Sequence, residues 1–558
     1  LPRLIGVEQA LEMIVSGEPV SGTKALELGL VDAVEEGEAL DIGVRFAKRV
    51  LAEGRFAQPV SARNEKLANV DPAMFEAARA RTAKTARNLF APFKCIDAVA
   101  AAVQLPFAEG LKRERELFAE CMASPQRAGL IHAFFAEREV AKIPGLPADT
   151  RMRPIDSAAV IGAGTMGGGI AMCFANAGIP VKLLDTTQAA LDKGLAVVRR
   201  NYESSAAKGK LTTRDVEQRM ALIQPTLSYD ALCDVDLVVE AVFEEMDIKK
   251  KVFGALDAAC KAGTILATNT STLNVDEIAA ATRRPQDVIG MHFFSPANVM
   301  KLLEVVRGAK TSNEVIATVM NLSKRIGKVG VLVGVCYGFV GNRMLHQRSA
   351  EATALVNEGA SPQQVDKVLT DFGFPMGPFA MSDLAGIDVG WRIREGLRKS
   401  GNPDAPRRNW LDQLAEQGRF GQKTGAGVYR YANGSRTPIV DPEVDALIAA
   451  FRAEQGIKPR AVSDAEILER CLGVMINEGA KILEERIAAR SLDIDVIWIH
   501  GYGFPSYRGG PMFWADQVGL PKILDTVRRY HDRLGTKAWR PAPLLEQLVR
   551  DGKGFRDF

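Results

Sequence analysis

From about residue 157 to residue 306 the chain alternates between two rhythms. Short unbroken apolar runs (AAVI, PVKLLD, VDLVVEAV, GTILATNT, VIGMHFF and KLLEVV) are separated by longer stretches with apolar residues at helical spacing. Unbroken apolar runs of this length read as strands buried on both faces, and the stretches between them as covering helices. Strand, glycine turn, helix and strand in that order make a βαβ unit. The spacing predicts one doubly wound domain over residues 153–335.

The flanks differ. Residues 1–55 combine a helical pattern (Ala10, Leu11, Ile14) with SGTKALELGLVDAV, which reads as a helix ending at glycine before a short strand. Residues 56–152 are rich in Ala, Arg and Glu at helical spacing and read as linking helices, closed by the proline-containing stretch KIPGLPADTRMRP. Beyond Tyr337 strands fade and helices dominate. That tail contains an echo: Asn-Glu-Gly-Ala followed by Gly-Phe-Pro occurs at Asn357 and Gly373, and again at Asn477 and Gly503. A duplicated helical unit follows, with its halves at 336–440 and 441–558. The predicted fold class is α/β plus all-α.

Composition narrows the function classes. The 558 residues are 47% hydrophobic and 25% charged with a formal net charge of +3, ordinary values for a globular chain of about three to four domains. No dense Lys/Arg tract calls for nucleic acid, and no apolar stretch approaches the roughly 18 residues of a membrane span. Seven scattered cysteines without a C-x-x-C pair argue against a disulfide framework or zinc site and for a reducing compartment. No metal site is expected. The terminal GKGFRDF is not a peroxisomal or reticulum address, so a cytoplasmic location is expected. Leu1 opens directly into structured sequence, and the native N-terminus is expected to lie upstream.

Chemistry enters at Gly162-Ala163-Gly164-Thr165-Met166-Gly167, which follows the strand AAVI and opens a helix. A lone G-x-G-x-x-G is weak evidence. Here it has the strand before, the helix after, and Asp185 ending the next strand about twenty residues on. Gly162 permits the tight turn, Gly164 close approach of backbone to a pyrophosphate, and Gly167 close helix–strand packing. The helix N-terminus offers unpaired N–H groups to phosphate. A carboxylate at Asp185 suits the free ribose hydroxyls of NAD and repels the 2′-phosphate of NADP.

His292, one of five histidines, ends VIGMHFF, and Glu304 lies in KLLEVV. If these strands pair, the carboxylate can fix the imidazole tautomer and raise its basicity, making a general base. A structural histidine in a salt bridge is the other reading of that spacing. In ATNTSTLNVDEIAAAT, Asn274 with Glu277 reads as a capping box. Ser271 lies before it on the carboxyl edge of the sheet, where a hydroxyl can meet both substrate and His292.

GAGTMGGGIA, TNTSTL, GMHFFSP, KLLEVV and GFVGNRM together resemble the L-3-hydroxyacyl-CoA dehydrogenase family. LPRLIGVEQALEMIVSGEPVSGTKALELGLVDAV resembles the end of an enoyl-CoA hydratase/isomerase (crotonase) domain. Hydratase, helical linker, dehydrogenase and duplicated tail is the order of the multifunctional fatty-acid β-oxidation enzymes. The fold expected is thus a crotonase-fold remnant, a helical linker, a Rossmann-type NAD domain and a duplicated helical dehydrogenase C-terminal domain.

The resemblance implies NAD-dependent oxidation of an (S)-3-hydroxyacyl-CoA to the 3-oxoacyl-CoA, with His292 as base and Glu304 as its partner. Ser271, Asn342 and Tyr502 would contact substrate. Gly162, Gly164, Met166, Gly167, Asp185, Val242, Phe243, Glu244, Lys249 and Ser271 would line the cofactor site. Ser295 stands where the family has asparagine, so any cofactor contact there would pass through a shorter hydroxyl. The hydratase glutamates would lie upstream of Leu1; hydratase and Δ3,Δ2-isomerase activity is expected of the full-length chain only. The partners implied are an acyl-CoA thioester and, in an assembly, a thiolase or a second copy. Two rival readings stay open: another Rossmann hydroxy-acid dehydrogenase with a helical C-terminal domain, and a non-catalytic NAD-binding structural protein.

Overall fold

The structure is a computed structural model describing residues 1–55, 58–399, 406–432 and 435–558. It divides into two compact units, Leu1–Leu130 and Ile131–Phe558.

The first unit is helical among its described residues. Val7, Leu11, Phe75, Ile96 and Val99 share one small core, so the segments expected as remnant and linker pack together. The expected boundary at 55/56 meets residue 56, which lies outside the described residues. The division between units falls inside the expected linker, before Ile131. The helix Gly22–Leu28 does end at a left-handed Gly29, as predicted. The short strand expected after it does not form: residues 31–34 carry no strand, and Val31 and Val34 are exposed. A strand needs a neighbour to pair with, and no described strand lies in this unit.

Among its described residues the second unit contains one eight-stranded sheet. Its strands are β1 (Ala158–Ile161), β2 (Val181–Leu184), β3 (Ile223–Thr226), β4 (Leu237–Glu240), β5 (Ile265–Thr268), β6 (Val288–Phe293), β7 (Leu302–Arg307) and β8 (Val329–Gly334). The order β3-β2-β1-β4-β5-β6-β7-β8 is doubly wound, with the chain reversing direction across the sheet at β1. Strands β1 to β6 are parallel, β7 runs antiparallel to β6, and β8 is parallel to β7. β1, β4, β5 and β6 are buried at every residue, as their unbroken apolar runs predict. Helices α1 (Thr165–Asn176) and α2 (Met246–Ala259) are among those that cover the sheet.

The rest is helical: α3 (Gly341–Glu358), α4 (Pro362–Phe372), α5 (Pro378–Ala385), α6 (Ile387–Lys399), α7 (Trp410–Glu416), α8 (Asp464–Glu484), α9 (Ser491–Tyr502) and α10 (Pro511–Val518) serve the account below. The echo in sequence is an echo in structure. In each half a long helix carries the Asn-Glu of Asn-Glu-Gly, a second helix ends just before Gly-Phe-Pro, and a third starts with proline. Asp366 in α4 accepts the N–H groups of Phe379 and Ala380, each at 2.9 Å, at the start of α5. Asp495 in α9 accepts those of Met512 at 2.7 Å and Phe513 at 3.3 Å, at the start of α10. Each aspartate caps a helix start that proline opens. The halves meet along α3 and α8, where Arg470 of α8 pairs with Glu351 at 2.5 Å and Glu358 at 2.7 Å.

Candidate active site

The glycine loop is fixed by contacts that leave no room for side chains. Gly162 has φ +100°, and a Cβ there would lie 2.7 Å from the Ala241 carbonyl oxygen. A Cβ on Gly167 would lie 1.7 Å from the Gly162 carbonyl oxygen. At Gly164, the residue before α1, a Cβ would meet nothing within 4 Å. Two glycines therefore serve the protein's own packing, while the third borders open space at a helix N-terminus, a cradle that suits the pyrophosphate of NAD. Asp185 holds this loop in place: its Oδ2 accepts the Ala163 N–H at 2.7 Å. Half-buried Met166 sits on the first turn of α1.

Lys249 departs from expectation. It is buried at 1% exposure, its ammonium 2.7 Å from Glu240 Oε1 and 3.3 Å from Glu244 Oε2. Rather than reaching toward a ribose, it neutralises Glu240, whose other oxygen accepts the Thr268 hydroxyl at 2.7 Å. Glu240 was not anticipated, although a lone carboxylate in the apolar run VVEAV is a legible signal. One oxygen of Glu244 gathers the Thr270 hydroxyl at 2.7 Å, the Ser271 N–H at 2.7 Å and the Ser271 hydroxyl at 3.1 Å. Burial alone would raise the Glu244 carboxyl, but the Lys249 ammonium and these hydrogen bonds outweigh it and hold it below the usual range. Val242 is half-buried and Phe243 exposed on the same loop.

His292 and Glu304 stand directly opposite each other in the antiparallel β6–β7 pair. His292 Nδ1 lies 2.7 Å from Glu304 Oε2, with Glu304 fully buried. The second oxygen, Oε1, accepts the Gly341 N–H at 2.9 Å, at the first residue of α3. Phe294 and Phe339 pack around the imidazole with ring centroids 4.5 and 5.7 Å away.

Asn342, next on α3, accepts the Tyr502 hydroxyl at 2.8 Å through Oδ1. Ser271 and Asn342 both line a cavity of about 1070 Å³, walled by α3, α5, α6 and α7 and including His346, Met381 and Ile393. Burial pushes the His346 imidazole down, which keeps it neutral. Two expectations are corrected. The Ser271 hydroxyl bonds Glu244, not His292. Asn274 accepts the Asp276 N–H at 2.8 Å without the reciprocal bond of a capping box, and the Glu277 carboxylate turns to Lys250 at 3.4 Å. Exposed Ser295 lies in the loop between β6 and β7. Among the described residues no cluster of His, Cys, Asp or Glu could hold a metal, and no helix is long and apolar enough to cross a membrane.

The 3-hydroxyacyl-CoA dehydrogenase NAD-binding domain model matches residues 157–336, and that family's C-terminal domain model matches 338–431 and 467–556. The chain belongs to the 3-hydroxyacyl-CoA dehydrogenase family. It is therefore an NAD-dependent oxidoreductase. The Danio rerio peroxisomal bifunctional enzyme is 46% identical over 99% of this chain and 78% of its own length. The solved 3-hydroxybutyryl-CoA dehydrogenase of Escherichia coli aligns with TM-score 0.62 and 29% identity over 72% of this chain and 100% of that one. The dehydrogenase part of multifunctional enzyme 1 from C. elegans aligns with TM-score 0.56 and 31% identity, over 75% of this chain and 96% of that one.

The resemblance to the multifunctional β-oxidation dehydrogenases holds along essentially the whole chain. The cytoplasmic location expected above is overturned. The Danio rerio, Homo sapiens and Arabidopsis thaliana relatives are all named peroxisomal. An unrecognised C-terminal address was too weak a ground for assigning a compartment.

Proposed function

We propose that His292 is the base that takes the hydroxyl proton of an (S)-3-hydroxyacyl-CoA, and that the product is the 3-oxoacyl-CoA of fatty-acid β-oxidation. The observation that carries this is the 2.7 Å bond between His292 Nδ1 and buried Glu304. A carboxylate accepts from Nδ1–H, so Nε2 is the nitrogen with a free lone pair. Among the described residues no group is bonded to that nitrogen. When Nε2 takes the proton, the adjacent carboxylate stabilises the imidazolium. NAD, when bound, supplies the hydride acceptor. Gly164 and the start of α1 would hold its pyrophosphate, and Asp185 its adenosine ribose. Ser271 and Asn342 border the cavity that would take the acyl thioester, and the hydrogen bond to Glu244 orients the Ser271 hydroxyl.

Residues 1–55 we read as the end of a crotonase-type domain, in keeping with relatives named bifunctional and multifunctional. Hydratase and isomerase activities would belong to that domain when complete.

The test is NADH formation from (S)-3-hydroxyacyl-CoAs of graded chain length, with the (R) isomers as controls and His292→Ala alongside. The (S) series should turn over, and His292→Ala should lose about 10²–10⁴-fold in kcat with NAD affinity kept. Wild-type turnover by His292→Ala would exclude this base.

A further inference from the structure

Tyr502 is the last residue of α9, 160 positions from Asn342 and in the other helical repeat. The resemblance implies that it touches substrate. Its surroundings give it different work. It is 9% exposed, and the residues lining the cavity include Asn342 but not Tyr502. Its ring is stacked on Trp498 at 4.7 Å and meets Phe294, beside His292, edge-on at 5.4 Å. Trp498 is held in turn from α3, by the Arg348 guanidinium 5.0 Å from its ring and by Met344 Sδ 3.1 Å from its indole N–H. The Tyr502 ring also covers Gly341, where a Cβ would lie 2.4 Å from it. A phenol gripped on these sides has one direction left for its hydroxyl, the Asn342 Oδ1.

In that bond the phenol is the donor and the Asn342 oxygen the acceptor, which turns the oxygen toward Tyr502 and leaves the two N–H groups of this cavity-lining amide free of the contact. An amide with the opposite orientation would offer a carbonyl oxygen to the carbonyl oxygens of an acyl thioester, two acceptors facing each other. We infer that Tyr502 is a positioning residue, which acts on the reaction through Asn342 by fixing its amide with the N–H groups toward the thioester. The inference rests on the reading of Asn342 as a substrate-holding residue.

The test is a double-mutant cycle of Tyr502→Phe and Asn342→Ala on the whole chain, with kcat/KM for an (S)-3-hydroxyacyl-CoA as readout. Tyr502→Phe should lose about three- to tenfold in the presence of Asn342, as befits one hydrogen bond. In the Asn342→Ala background the same change should cost almost nothing. The KM for NAD and the thermal midpoint of Tyr502→Phe should match wild type, which a merely structural role would not predict alongside lost turnover. Equal losses in both backgrounds, or none in either, would overturn the inference. Full activity in Asn342→Ala alone would instead overturn the reading of Asn342 on which it stands.

Discussion

Replacing Glu304 by glutamine asks whether the carboxylate drives the chemistry or only fills space. The change preserves shape, and the glutamine oxygen can still accept the Gly341 N–H that now bonds Oε1 at 2.9 Å. The cost falls on the other side. The glutamine NH₂ would then face His292 Nδ1, forcing that nitrogen to accept and placing the ring proton on Nε2. A base already protonated cannot take the substrate's proton. The charge is lost as well. Unit charges about 4 Å apart attract by about 4 kcal/mol at an effective dielectric of about 20. At about 1.4 kcal/mol per tenfold, removing that attraction from the imidazolium-forming step lowers kcat by about 10³. NADH absorbance with a saturating (S)-3-hydroxyacyl-CoA measures kcat, and calorimetric titration with NAD checks that the cofactor site survives. A kcat within about threefold of wild type, with NAD binding unchanged, would refute the coupling of carboxylate to base.

Lys249→Met should lower the unfolding midpoint, because it strands fully buried Glu240 without its 2.7 Å partner. Breaking one side of such a pair costs about 3–5 kcal/mol, and Lys249→Met with Glu240→Gln should recover most of it; an unchanged midpoint in the single variant would refute the role given to the pair. Burial raises the Asp366 carboxyl from 3.8 to about 6 despite the N–H groups it accepts. The folded state therefore binds the proton more readily than the unfolded one, and this aspartate's contribution to stability is lost as pH rises from about 4 to about 6, by at most about 3 kcal/mol. Asp366→Asn should flatten that slope in denaturant titrations across the window, and parallel slopes in variant and wild type would refute it.

The sheet was legible where the physics leaves one solution. β1, β4, β5 and β6 are buried on both faces, so their sequences are unbroken apolar runs that no surface helix would carry. β3 escaped notice because an edge strand has weaker demands: Ile223–Thr226 reads IQPT, with Gln224 and Pro225 exposed. Proline is tolerated there because one side of an edge strand makes no ladder bonds. β8 reads VGVLVG, and its two glycines disguised it. At 31–34 the error ran the other way, since an apolar pattern marks a strand only where another strand can receive it.

The site divides along a similar line. His292 and Glu304 each interrupt an apolar strand, and an ionisable group in such a run must find a partner or a task, so the pair can be read from sequence. Glu240 carries the same signal and pairs with Lys249 for the same reason. Asn342 and Tyr502 carry no such signal, because a polar residue in a helix is ordinary and 160 residues separate them. What joins them is tertiary. Glu304 binds the sheet's histidine with one oxygen and the first N–H of α3 with the other, and the Gly341 that donates it is the residue on which Tyr502 rests. The orientation of the His292 imidazole thus depends on three segments from distant parts of the chain. A glycine is required at 341 because the phenol of the second repeat occupies the space where a side chain would stand. The duplication that looks like added bulk in the sequence thereby packs against the segment that holds the His292–Glu304 pair, through one missing Cβ.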